Sequence, residues 1–327
     1  MDRAHENHRR LRRVLFVALS ALLATACGQQ IELPPQPELE FRTPLPGKFN
    51  FKAEWTLPAP SDLAVEGIYL YVIEEESRIA TYLTTRKTAP TSADMATAFE
   101  GLIRPTQLTT VARGDSVYVI VLDPGDMRCK IYYRWGGPLL HSFSDTLWEG
   151  LSGVAADERL HIYVADSTSD EIRSYDRWGH PLRVVAEEGS GIGYVTDPRG
   201  LTYAGAFLWV SDSGKDWVQR ILPDTTSLPY PAHPEPIGWE EGLLSTPRDV
   251  AIDPFAEYVY ITDTGHDRVL RFQANGAFAD TVYWPARSHP DPPLTAPSHL
   301  AVGDEGDLVF VSQPDSNRIV LFELSSQ

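Results

Sequence analysis

From residue 49 to 57 every second side chain is apolar (Phe49, Phe51, Ala53, Trp55, Leu57), the period-two pattern of a β-strand with one face buried. Further on, the apolar residues gather into short β-branched and aromatic runs, at 69–73, 117–121, 161–166, 207–212, 258–263 and 308–312. A polar turn follows each run, and then a further one, at 78–82, 128–132, 171–175, 217–221, 268–272 and 318–322. Runs of this length and composition, punctuated by Gly, Asp and Ser, predict antiparallel strands joined by tight turns. Two turns of like sequence, at 134–139 and 177–182, lead to a further strand, and Asn275-Gly276 does the same in a later copy.

A signature precedes each pair of runs by about ten residues. It begins at Pro60, Pro105, Leu151, Pro198, Pro247 and Pro297, with spacings of 45, 46, 47, 49 and 50. Each signature holds an apolar residue (Leu63, Leu108, Val154, Leu201, Val250, Leu300) followed by a small one (Ala64, Thr109, Ala155, Thr202, Ala251, Ala301). Repeats of 40–50 residues with short strands predict the blades of a β-propeller, and the small residues suit inner strands that converge on an axis. The fold class is therefore all-β, a six-bladed β-propeller spanning 48–327. After Phe322 too few residues remain for a fourth strand in the last blade, so the strand at 49–57 is expected to fill that place and close the ring.

The units resemble NHL repeats, in a Pro-x-Gly-like start, a Val-Ala-Asp-like end to the second strand (residues 164–166) and Arg-Ile/Val-x-x-Phe/Tyr in the third (Arg268 to Phe272, Arg318 to Phe322). The resemblance runs over residues 48–325. It implies the fold and leaves function open, because that family includes scaffolds, receptors and enzymes.

Composition adds an address. Residues 9–13 are basic, 14–26 form an apolar run too short to span a bilayer but right for a signal-peptide core, and Cys27 follows. Residues 23–28 resemble the lipobox of bacterial lipoproteins, which makes Cys27 the lipidated first residue of the mature chain; an ordinary signal peptide with Cys27 incidental is the alternative. By the habit of that family, Gly28 after the cysteine implies the outer membrane or cell surface rather than the inner membrane. The proline-rich stretch 27–47 reads as a tether able to reach roughly 60 Å at about 3.1 Å per residue. Loss of residues 1–26 removes five basic and two acidic groups, taking the formal charge from −17 to −20. A chain this acidic is not built to neutralise phosphates, so a nucleic-acid partner is excluded as an expectation.

The chemistry centres on one mouth of the channel. The residue before each signature Leu or Val sits where an inner strand begins: Asp62, Gln107, Gly153, Gly200, Asp249 and His299. Ring closure makes the blades of Asp249, His299 and Asp62 consecutive. Two carboxylates and an imidazole suit a divalent metal such as calcium, magnesium or zinc, and propeller lactonases and lyases bind metals at such a mouth. Equally, carboxylates at strand starts satisfy backbone N–H groups. Arg199 and Arg248, one position earlier in neighbouring blades, suit a carboxylate or phosphate.

The turns between second and third strands are acidic (residues 74–76, 123–126, 166–170, 212–216, 263–267, 315–317) and open on the same face. Long connections open there too, at 222–245 with Tyr230, His233, Trp239, Glu240 and Glu241, and at 284–297 with His289 and Asp291. Cys129 falls in the third-strand register of Ile172 and Val269, a core position, and Gly189 to Gly193 reads as a blade connection rather than a phosphate loop. Two functions follow: a lipid-anchored extracytoplasmic propeller that binds a protein, peptide or glycan with the loop-rich acidic face, or a metal-dependent hydrolase or lyase of the lactonase type at the channel mouth.

Overall fold

The strand at the start of the domain, β1 (Phe49–Thr56), does not pair with its neighbours in sequence. In the computed structural model, which describes residues 49–85, 90, 98–224, 236–238, 242–283 and 294–324, it lies beside the last strand of the chain. Six sheets are formed. The first holds β2 (Leu63–Glu66), β3 (Tyr69–Glu74) and β4 (Arg78–Leu83); the second β5 (Gln107–Arg113), β6 (Ser116–Asp123), β7 (Arg128–Tyr133) and β8 (His141–Phe143). The third holds β9 (Leu151–Ala156), β10 (Ile162–Asp166), β11 (Glu171–Tyr175) and β12 (Pro181–Ala186); the fourth β13 (Pro198–Ala204), β14 (Phe207–Asp212) and β15 (Trp217–Ile221). The fifth holds β16 (Pro247–Ile252), β17 (Tyr258–Asp263), β18 (Arg268–Gln273) and β19 (Phe278–Tyr283). The sixth, β20 (Leu300–Val302), β21 (Leu308–Gln313) and β22 (Arg318–Leu324), takes β1 as its outer strand.

This is the six-bladed ring expected from the repeat, closed by the N-terminal strand. In the first and fourth sheets three strands are found among the described residues; in the fourth, Ile237 adds a single antiparallel bridge to Val218.

The register of closure is antiparallel, Phe49 opposite Leu324 and Thr56 opposite Arg318, with one irregularity between Phe51 and Ala53. Every inner strand begins on the face that also carries the second-to-third-strand turns, here termed the mouth face. Because Thr56 meets Arg318 at that face, Phe49 meets Leu324 at the opposite, far face.

Period-two alternation builds the core between blades rather than within them. In β6, Val119 and Val121 pack with Tyr71 and Ile73 of the first blade, while Ile120 and Leu122 pack with Val154 and Ile162 of the third. Six such clusters fill the six joints. At the closing joint Trp55 is fully buried, 6.0 Å from the Tyr82 ring and 5.8 Å from Phe310. Cys129 is buried in the joint between the second and third blades, and burial raises its thiol pKa far above the usual range, so it is an inert core residue.

Candidate functional site

The inner strands converge on a channel with about 150 Å³ of space, walled by Ala64, Thr109, Thr110, Thr202, Ala251 and Ala301 among others. Small side chains are needed because neighbouring blades meet here. At Gly153 a Cβ would lie 2.2 Å from the Arg199 carbonyl oxygen, and at Gly200 2.4 Å from Asp249 Oδ1, so both positions exclude any side chain.

The mouth residues bind the blades to one another. Asp62 is buried, and its two oxygens accept from the backbone N–H of Leu63 (2.7 Å) in its own blade and of Leu108 (2.6 Å) in the next. Asp249 repeats the pattern, accepting from Val250 (2.8 Å) and, across the joint, Leu300 (2.9 Å). Burial, and then the charge of Asp249, raise the pKa of Asp62 well above the carboxylate range. Burial pushes Asp249 up to about 7, against the pull of the two N–H donors.

His299 is buried with both ring nitrogens occupied. Nε2 lies 2.9 Å from the Gln107 amide nitrogen and Nδ1 2.9 Å from Ser298 Oγ. Burial first, then the nearby Arg248 charge, depress its pKa to about 3, so the ring is neutral at pH 7. An imidazole nitrogen can meet a metal here only by giving up one of these partners. Among the described residues no three His, Cys, Asp or Glu side chains are grouped as a metal would require.

Behind the mouth, hydroxyls of the second strands complete the junction. Ser211 Oγ takes the Gly200 N–H (2.7 Å) and donates to the Arg248 carbonyl (3.0 Å) of the next blade. Thr262 Oγ1 does the same for Asp249 N–H (2.8 Å) and the Ser298 carbonyl (3.2 Å). In the sequence these residues carry only a weak signal, a hydroxyl residue just before the turn Asp or Gln in copies four, five and six.

The acidic turns divide into two uses. The first acid of the turn is buried and holds the segment leading into its own blade: Asp123 accepts from Ile103 and Arg104 N–H (2.7 and 2.8 Å), Asp166 from Glu149 and Gly150 (2.6 and 2.9 Å), Asp263 from Ser245 (2.7 Å). Burial pushes Asp166 up, but its backbone donors more than offset that and its pKa falls below the usual value. The last residue of the turn reaches the next blade: Asp170 takes the Asp197 N–H (2.7 Å), Asp216 that of Thr246 (2.6 Å), Asp267 that of Ala296 (2.7 Å) and Asn317 that of Ala59 (2.9 Å).

The two arginines differ. Arg199 is paired with Asp197 at 2.7 Å. Arg248 is exposed, forms no ion pair with a described residue, and lies where the charges of Arg199, Asp315 and Asp197 act on it. Cys27 and the loop residues Tyr230, His233, Trp239, Glu240, Glu241, His289 and Asp291 lie outside the described residues.

The same shape is found in solved structures. A chain of a nidogen/laminin complex superposes with a TM-score of 0.56 at 18% identity, covering 74% of this chain and 84% of that one. A streptogramin B lyase gives 0.55 at 11% identity, with 86% and 98% covered. The chain is a six-bladed β-propeller. No family model and no curated protein matches its sequence.

Proposed function

We propose that this propeller is a lipid-anchored protein of the bacterial cell envelope, at the outer membrane or cell surface, that binds a protein, peptide or glycan with its mouth face, and that its blades are NHL-type repeats. One observation carries the choice of binding over catalysis. The carboxylates and the imidazole of the mouth are already hydrogen-bonded to the fold, and of the candidate residues described there only Arg248 is exposed without an ion pair to a described residue. A reaction needs groups free to exchange protons or ligands. A rigid ring with long connections in its sequence suits recognition, and an acidic field from the turns favours cationic partners. Propellers of this shape occur both in a nidogen/laminin complex and in a lyase, so shape does not choose between the readings.

The test is capture from solubilised envelope by the full chain and by a chain with Tyr230, His233 and Trp239 replaced by Ala. Loss of the captured partner at unchanged melting temperature supports the reading; identical capture by both chains overturns it. Calorimetry with calcium, magnesium and zinc tests the hydrolase or lyase reading. A binding heat that His299→Gln abolishes, together with turnover, would bring it to the front.

A further inference from the structure

Residues 134–139 and 177–182 share the sequence Arg-Trp-Gly-x-Pro-Leu, and the mouth uses neither copy. Both form the turns between third and fourth strands of adjacent blades, which the antiparallel ladders place on the far face. Each Trp leans on the preceding blade. Trp135 meets Tyr69 edge-on at 5.1 Å, and Trp178 meets His141 at 5.6 Å while its carbonyl accepts from His141 Nε2 at 3.0 Å. That packing covers only part of each indole: Trp135 stays 44% and Trp178 53% exposed, with Tyr133, Leu139, Leu140 and Leu182 exposed around them. Each indole also carries a guanidinium, Arg134, itself 3.6 Å from the Glu66 carboxylate, at 5.5 Å from the Trp135 ring and Arg177 at 4.3 Å from that of Trp178. Apolar side chains exposed singly need no explanation, but six on two neighbouring blades form a patch.

We infer that this rim rests on a phospholipid bilayer. Indoles suit the headgroup level, guanidinium groups pair with lipid phosphates, and leucines reach the acyl boundary. The chain itself points the same way. It enters the ring at Phe49, on the far face, and residues 27–47 are long enough to reach any part of that rim. In this respect the inference rests on the lipid-anchor reading. In the far-face turns of the second and third blades Arg113, Arg134, Arg159 and Arg177 balance Asp115, Asp157, Glu158 and Asp176, whereas that of the sixth blade holds Asp304, Glu305 and Asp307 with no basic residue, so charge favours the former for contact with lipid. With the rim on the lipid, the acidic mouth turns face away from it.

The experiment uses the full chain with vesicles of phosphatidylethanolamine and phosphatidylglycerol brominated in the acyl chains, which quench tryptophan emission at the membrane. Quenching is expected in the native chain. The double variant Trp135→Phe, Trp178→Phe should lose at least half of it, and Leu140→Asp with Leu182→Asp, both at exposed sites, should cut it by a similar factor with melting unchanged. No quenching, or equal quenching in native chain and variants, overturns the inference. The mass of the N-terminal peptide is read separately. Lipid on Cys27 without rim-dependent quenching removes the rim and keeps the anchor, whereas a bare Cys27 with rim-dependent quenching does the reverse.

Discussion

At the mouth, the buried carboxyls of Asp62, Asp249 and Asp212 and the buried imidazole of His299 pull stability in opposite directions with pH. The folded Asp249 holds its proton up to about pH 7, against 3.8 when unfolded, so its contribution is full below about pH 4 and is lost as pH rises through 7. Asp212, raised by burial to about 7 despite Lys215 at 3.3 Å, behaves alike. His299 is the reverse: folded at about 3 against 6.5 unfolded, it stabilises fully above 6.5 and loses that contribution as pH falls. Between pH 4 and 6.5 the one imidazole offsets only part of what the carboxyls add as pH falls. The expected result is a melting temperature that rises modestly from pH 7.5 to 5 in the native protein and more steeply over the same interval in His299→Gln. Superimposable profiles from differential scanning calorimetry would show that the imidazole is not buried neutral.

Among elements, the second-to-third-strand turn does the most. Asp170, Asp216, Asp267 and Asn317 all have φ between 51° and 55°, in the left-handed region, and the residues whose N–H they accept, Asp197, Thr246, Ala296 and Ala59, each just before a proline, also have positive φ, between 38° and 59°. Asp and Asn enter that region more readily than other side-chain-bearing residues, and their short side chain is what spans the joint. For Asp267, replacement by Ala removes the hydrogen bond and leaves a strained Cβ, an expected loss of about 2 kcal/mol; Gly removes only the bond, about 1 kcal/mol. Asn should be near neutral, since Asn317 already does this work. Urea melts decide, and Gly costing as much as Ala would refute the strain argument.

These joints mark the limit of what the chain shows by itself. Strands, period, inner small residues and closure are local or repeating patterns, and each was legible. The role of Asp267 was not, because its partner, Ala296, lies in the next repeat and is recognised only once blades are set side by side. The mouth acids failed for a related reason: Asp and His at a strand start serve a metal or a neighbouring N–H equally well, and only the direction of each oxygen separates the two uses. The Trp-bearing turns are legible as turns, but a repeat pattern does not say which face is left uncovered.

At the scale of the whole molecule the ring stands or falls at one seam. β1 joins the sixth blade across a separation of nearly the entire domain, with Trp55 buried between the first and last blades and Glu54 paired with Arg318 at 3.2 Å. Bringing such distant segments together costs loop-closure entropy, which the seam must outweigh for the ring to be stable. Trp55→Ala removes the largest side chain there and should cost about 3–5 kcal/mol. Deleting residues 48–57 goes further: it exposes the edge of β22 and the apolar face of Phe310, so it should collapse thermal stability and bring aggregation. The shape of the melt carries the stronger test. In a closed ring every blade has two neighbours, so the native protein and Trp55→Ala should each unfold in one calorimetric transition, the variant at lower temperature. In an open arc the end blades would come apart first, as in a linear repeat array. A second, low-temperature transition in Trp55→Ala would mean that the seam, rather than the ring, had been unfolded; an unchanged melting point on deletion of 48–57 would mean that the seam never held it.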